Sequence, residues 1–188
     1  MTDRRSQILS AALQVFTERG YCDGTMAAVA ERVGLTEQDL LEMFPGKDGL
    51  LTEVMRLRDE LVARAFTGFS GTLSDLEAVV SWNSTRAGLV QSFMVLAARS
   101  LTDGHPGREF FVNRYGLLRD VLASQVGKEL GDPGPSGLTA EQTAALLVAL
   151  MDGLQLQWLL TPECVDMPGL VRAFTDLLRG GPEPESAG

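Results

Sequence analysis

Through the first fifty residues, apolar side chains recur at helical spacing and are interrupted at Gly20, at Gly34 and at Phe44-Pro45-Gly46. That punctuation predicts three short helices and the start of a fourth. Ile8, Leu9, Ala12, Leu13 and Phe16 share one helical face, and Gly20 closes that helix. Thr25 is placed to cap a second helix whose buried side is Met26, Val29, Ala30 and Val33. Gly34 makes the next turn, where a backbone free to take positive φ is useful. Thr36 caps the third helix, which runs to Met43, and Asp39 three residues later completes a capping box. Helices joined in this way form a helix-turn-helix, an arrangement that lays its second helix in the major groove of DNA. A DNA-binding regulator is the expectation.

The remainder is helical as well, since no run alternates apolar and polar residues as a half-buried strand would. A long helix is predicted from Lys47 to Phe66, broken at Ser70-Gly71-Thr72. Ser74 and Glu77 have capping-box spacing and are expected to open the next, through Val79, Val80 and Trp82. Further helices are predicted over 87–101 and 108–130. A breaker-rich linker at Gly131–Gly137 follows, then a helix that Thr139 and Gln142 start and Thr161-Pro162 stops, and a last one from Met167 to Leu178. The fold class is thus all-α with about nine helices. Residues 1–50 form the head, 51–180 the body, and 181–188 a disordered tail.

Composition narrows the function classes. The formal net charge of −9 argues against broad affinity for nucleic acid, which needs a basic surface, but leaves room for a local contact. Cys22 and Cys164 are far apart and fit neither a CxxC pair nor a metal-ligand spacing, so two reduced thiols are expected. The single histidine, His105, precedes Pro106 in a Gly/Pro turn and is expected to serve that turn. No phosphate-binding loop, metal cluster or nucleophile-base set is present, so neither an enzyme nor a cofactor is expected. No apolar run is read as long enough to span a bilayer, and the charged N-terminus leads straight into an amphipathic segment. A cytoplasmic protein with no membrane partner is the expectation.

The head resembles the TetR-type (tetracycline-repressor-like) bacterial transcriptional regulators. The similarity rests on Ile8-Leu-Ser-Ala-Ala-Leu-Gln-Val-Phe16, Glu18-Arg-Gly-Tyr21, Thr25, Val29-Ala-Glu-Arg-Val-Gly-Leu-Thr36 and Phe44-Pro-Gly-Lys-Asp-Gly-Leu-Leu51. The body is similar to one subgroup's C-terminal domain at His105-Pro-Gly-Arg-Glu-Phe, Arg114-Tyr115 and Leu150–Leu160. The resemblance implies a homodimer whose heads read a palindromic, double-stranded operator and whose bodies bind a small effector. By position it assigns DNA contact to Thr25, to Thr36, Glu37, Gln38, Asp39, Leu41, Glu42 and Met43, and to Lys47.

This chain departs from the family at two of those positions. The family commonly has Tyr where Leu41 stands, and His or Arg where Glu42 stands. From Met1 to Met55 there are five bases against nine acids, a net of −4. Glu37 and Asp39 fall in a helix's first turn, where the dipole favours acids. A carboxylate can accept from cytosine N4, and Gln38 matches adenine's paired donor and acceptor. Glu42 is expected to be repelled by phosphate and is excused by neither effect.

In the body, Trp82, Phe93, Met94, Phe110, Phe111, Met151 and Trp158 are candidate walls of an effector pocket. Arg86, Asn113, Tyr115 and Gln155 are its candidate polar groups. Such a lining suits a hydrophobic small molecule, although residues of this kind at helical spacing equally serve a plain core. The family places its dimer interface on the last two long helices, where Leu146, Leu150, Gly153 and Leu154 are the candidates. Gly153 costs a helix ~1 kcal/mol relative to Ala, which points to close packing either across the dimer or within one subunit. Two functions follow: a ligand-responsive repressor, or a dimer of the same shape that binds a small molecule or protein with little DNA affinity of its own.

Overall fold

The computed structural model describes residues 4–65 and 72–180; the expected disordered tail at 181–188 lies outside them. Among the described residues there are nine α-helices and no strand. They are α1 (Arg4–Asp23), α2 (Met26–Val33), α3 (Glu37–Met43), α4 (Gly46–Ala65), α5 (Leu73–Asn83), α6 (Ala87–Arg99), α7 (Arg108–Leu130), α8 (Ala140–Leu160) and α9 (Met167–Leu178). They divide into two compact units. One holds α1 to α4, α6 and α7 as far as Asn113; the other holds α5, the rest of α7, α8 and α9.

In the first unit α1 packs on α2, α4 and α6. Its buried face is Ile8, Ala11, Ala12, Val15 and Phe16, so the stripe is rotated from the expected one and leaves Leu9 and Leu13 partly exposed. Gly20 interrupts α1 at φ 67°, ψ −168°, and a last turn follows to Asp23. Where α6 meets α1, a Cβ on Gly88 would stand 2.3 Å from the Thr17 carbonyl oxygen. Thr25 caps α2, its side chain accepting from the Ala28 amide at 3.1 Å. Gly34 then takes the left-handed conformation (φ 67°, ψ 38°) that turns the chain into α3. Thr36 and Asp39 form the predicted capping box.

In the second unit, α5 and α8 each pack on α9 around a core that includes Leu73, Leu76, Leu122, Ala144, Leu147 and Val171. The helix α5 opens two residues earlier than predicted. Thr72 and Asp75, not Ser74 and Glu77, form its capping box. Glu77 is committed elsewhere: it accepts from the Thr175 hydroxyl at 2.9 Å and pairs with Arg172 at 3.5 Å, tying α5 to α9. Thr139 and Gln142 cap α8 as expected.

Contrary to the reading of the sequence, α8 is long and apolar enough to cross a membrane by length and composition alone. The reason is that it is apolar on two sides. Ala140, Ala144, Leu147, Met151 and Leu154 face the core of the unit, while Leu146 (48% exposed), Leu156 (49%) and Leu160 (74%) lie on the opposite arc.

Candidate functional site

Of the seven residues of α3, Leu40 alone is buried, at 0% exposure, and it anchors the helix to the head. Glu37, Gln38, Asp39, Leu41, Glu42 and Met43 are all exposed, as are Thr25 and Thr36. Lys47, the remaining expected contact residue, is partly buried. Asp39 is partly spent on the cap: its Oδ2 accepts from the Thr36 amide at 2.8 Å and from the Thr36 hydroxyl at 2.7 Å. Those bonds hold its carboxyl below the usual carboxylate range.

The head's cations are also largely engaged. Arg4 donates to the Val33 carbonyl at 3.1 Å, and Arg5 lies 4.6 Å over the Phe44 ring and 3.4 Å from Glu53. Arg32 forks onto both oxygens of Glu18, at 3.0 and 2.6 Å. The Lys47 ammonium donates to the Tyr21 and Cys22 carbonyls at the end of α1 and sits 4.2 Å over the Tyr21 ring. Burial there pushes the Lys47 ammonium below its ordinary value. A phosphate would have to draw Lys47 off these partners.

Beside Lys47 lies a network that sequence reasoning missed. Asp48, in the first turn of α4, accepts from the Tyr21 hydroxyl at 2.7 Å through Oδ1. Its Oδ2 accepts from Arg99 Nε at 2.8 Å, and His105 Nε2 stands 2.9 Å from the same oxygen. The Gly107 amide donates to His105 Nδ1 at 3.0 Å, so that nitrogen is an acceptor and the ring proton lies on Nε2, facing Asp48. His105 thus serves its turn, as expected, and also joins it to α4. Burial pushes the Asp48 carboxyl up, but the bonds from Tyr21, His105 and Arg99 outweigh it and hold it below the ordinary value. Burial and the Asp48 bond push the Tyr21 phenol up to about 12. The charge of Asp48 is visible in the sequence, yet its partners come from three other segments.

The expected effector residues fall in both units. In the first, Phe93, Phe110 and Phe111 are buried and meet edge to face, with ring centroids 5.3 Å (Phe93–Phe111) and 5.1 Å (Phe110–Phe111) apart. Met94 and Arg86 are partly buried there, and Asn113 is exposed. In the second, Met151 and Gln155 are buried, Trp158 packs against the core, and Trp82 is partly buried. The Tyr115 hydroxyl donates to Asp152 Oδ2 at 2.7 Å. Desolvation raises the Asp152 carboxyl, and the Tyr115 phenol is raised by burial and by that bond. Asp152 was not among the expected effector residues. A surface hollow of about 500 Å³ in this unit is lined by Asp120, Ser124, Lys128 and Glu141 among others, and contains none of the expected residues.

Of the expected dimer residues, Leu146 faces outward, Leu150 is partly buried and Leu154 is within the chain's own core. A Cβ at Gly153 would meet nothing within 4 Å, so packing within the chain gives no reason for this glycine. On α9, Leu170 (46% exposed) and Leu177 (65%) also face outward.

Comparison with known proteins agrees with this architecture. The family model described as bacterial regulatory proteins, tetR family, matches residues 8–54, and that of the BetI-type transcriptional repressor, C-terminal, matches residues 76–180. The HTH-type transcriptional regulator BetI 1 of Chromohalobacter salexigens is 30% identical over 173 residues, covering 87% of this chain and 83% of that one. The BetI regulator of Paraburkholderia phytofirmans is 28% identical over 184 residues, covering 93% and 91%. A transcriptional regulator from Rhodococcus superposes with a TM-score of 0.69 at 25% identity, covering 95% of each chain. The FadR regulator of Bacillus subtilis, solved in complex with stearoyl-CoA, shares the fold at a TM-score of 0.59 and 17% identity, covering 94% of this chain and 98% of that one.

Proposed function

The chain belongs to the tetR family of bacterial regulatory proteins, with a C-terminal half of the BetI type, and from that premise we propose a cytoplasmic repressor that binds a palindromic operator as a homodimer and answers to a small molecule. The observation that carries the DNA-reading part is α3 itself. One side chain, Leu40, anchors it, and the remaining side chains are accessible behind the Gly34 turn. We assign operator contact to Thr25, to Thr36, Glu37, Gln38, Asp39, Leu41, Glu42 and Met43, and to Lys47 once it leaves its carbonyl partners. The division of labour is a head at residues 1–50 and a ligand-binding and dimerisation body at 51–180.

Dimerisation is supported by the outward leucines of α8 and α9, with Gly153 between them as a point where a second helix can approach closely. The effector we infer is small and largely apolar, held in the second unit beside Trp82, Met151 and Trp158, with Gln155 and the Tyr115–Asp152 pair as polar anchors. That the same fold in Bacillus subtilis FadR accommodates stearoyl-CoA is consistent with an apolar effector. Such a molecule changes operator affinity only by its differential affinity for the two states of the dimer.

Operator selection from random DNA with the full-length protein, at low and moderate salt, tests the reading. One enriched palindrome whose affinity falls as salt rises supports it. A folded dimer that enriches nothing at low salt overturns it. The paired cations and Glu42 favour a second reading, a dimer with little DNA affinity of its own. On that reading, Leu41→Tyr with Glu42→Arg raises affinity for DNA of any sequence.

A further inference from the structure

We propose that Gln38 and Glu42 are the specificity-determining pair of α3 and that they read the amino-bearing bases, adenine and cytosine, on one strand of each half-site. The inference rests on the operator-binding reading above and adds what that operator contains. At 3.6 residues per turn, successive side chains are set about 100° apart, and the direction opposite Leu40 falls midway between residues 38 and 42, about 20° from each. With Leu40 fully buried, Gln38 and Glu42 are the side chains that reach farthest from the head. Glu37 and Leu41 flank them on one side; Asp39, tied to Thr36, and Met43 flank them on the other.

Chemistry narrows the bases. Between Glu37 and Met43 the Gln38 amide supplies the one side-chain N–H donor, and the other polar groups are carboxylates. Guanine shows N7 and O6 acceptors in the major groove, and its usual partners are Arg and Lys, which α3 lacks. Cytosine N4 and adenine N6 are donors. A carboxylate at Glu42 accepts from cytosine N4, while the Gln38 amide satisfies adenine N6 and N7 together. Side chains four apart on a helix lie about 5–6 Å from each other. Bases along one strand are spaced by about 3.4 Å, so the adenine and cytosine are adjacent or one step apart. Pointing away from the head, the pair meets the groove floor and not its phosphate walls, which is where a carboxylate costs least. Leu41 beside them suits a thymine methyl.

The test uses the operator that selection recovers, with binding followed by anisotropy for the full-length protein. Glu42→Ala is expected to erase the preference for cytosine at one half-site position and leave the other positions unchanged. Glu42→Arg is expected to shift that position to guanine, and its tight binding to the swapped operator shows that the variant is folded. Replacing every guanine by 7-deazaguanine leaves wild-type affinity unchanged. 7-Deazaadenine at the Gln38 position lowers it about tenfold. Base preferences that do not move in either Glu42 variant, or a tenfold loss with 7-deazaguanine, overturn the proposal. Failure of the wild-type protein to enrich any palindrome overturns the operator-binding reading itself, and this one with it.

Discussion

His105 Nε2 and Asp48 Oδ2 are 57 residues apart in sequence and 2.9 Å apart in space, and the bond joins the turn before α7 to the first turn of α4. Because Asp48 also receives Tyr21 and Arg99, one carboxylate gathers four segments of the first unit. Asp48→Ala leaves three donors without their acceptor. It is expected to cost about 1–3 kcal/mol, read as a lower urea midpoint at unchanged slope. Tyr21→Phe removes one of those bonds and costs about 1 kcal/mol. Since the folded Asp48 carboxyl is depressed below 3.8, its contribution is present above that pH and is lost as pH falls through the folded value. An unchanged midpoint for Asp48→Ala at pH 7 would show that the network adds nothing.

The chain has two tyrosines, and both phenols are raised, Tyr21 to about 12 and Tyr115 by burial and its bond to Asp152. A phenol with a raised folded pKa contributes stability that is intact below pH 10 and lost as pH rises through the folded value. Absorbance near 295 nm is therefore expected to show almost no phenolate at pH 10.5 in the folded protein. The same protein in concentrated urea should titrate near 10. Ordinary titration of either tyrosine in the folded state would mean that its hydroxyl is neither buried nor bonded to aspartate as described.

Asp152 behaves in the opposite sense to Asp48. Its carboxyl is raised, so its contribution favours folding below 3.8 and is lost as pH rises through the folded value, leaving a charged group that costs stability at neutral pH. Asp152→Asn keeps an acceptor for Tyr115 and removes the charge. We expect a Tm higher by roughly 2–4 °C at pH 7, with the gain shrinking below pH 4. A lower Tm at pH 7 would show that the carboxylate is better satisfied than its burial implies.

Leu146→Asp with Leu160→Asp places charge on the outward arc of α8 without touching the core. Burying a leucine contributes about 1.5–3 kcal/mol. Loss of these side chains from both partners is expected to raise the dimer dissociation constant by at least about 100-fold. Analytical ultracentrifugation at micromolar concentration reads this directly, and an unaltered dimer would move the interface elsewhere.

How far the sequence disclosed all this depended on how far apart the participants lie. The Thr25 cap, the Thr36–Asp39 box and the Gly34 turn involve neighbours within three residues and were legible. The box at α5 was misplaced by two residues because Thr72–Asp75 and Ser74–Glu77 have the same spacing, and only the folded chain shows that Thr175 and Arg172 claim Glu77. The α1 stripe was read as including Leu9 and Leu13, whereas Ala11 and Val15 are buried in their place beside Ile8, Ala12 and Phe16. The segment that forms α3 was legible; that Gln38 and Glu42 stand opposite its anchor required knowing that Leu40 alone turns inward. The Asp48 network was illegible because its bonds span 27, 51 and 57 residues.

Gly88 sets a limit on how the first unit can respond to anything bound to it. Where α6 crosses α1, a Cβ would come within 2.3 Å of a main-chain oxygen, a group that cannot swing aside as a side-chain tip can. Two helices in contact backbone to backbone have no soft layer between them to absorb a displacement. A shift of α6 is then handed to α1 undiminished, and α1 carries the helix-turn-helix with it, so this joint acts as a stiff hinge pin and not as a cushion.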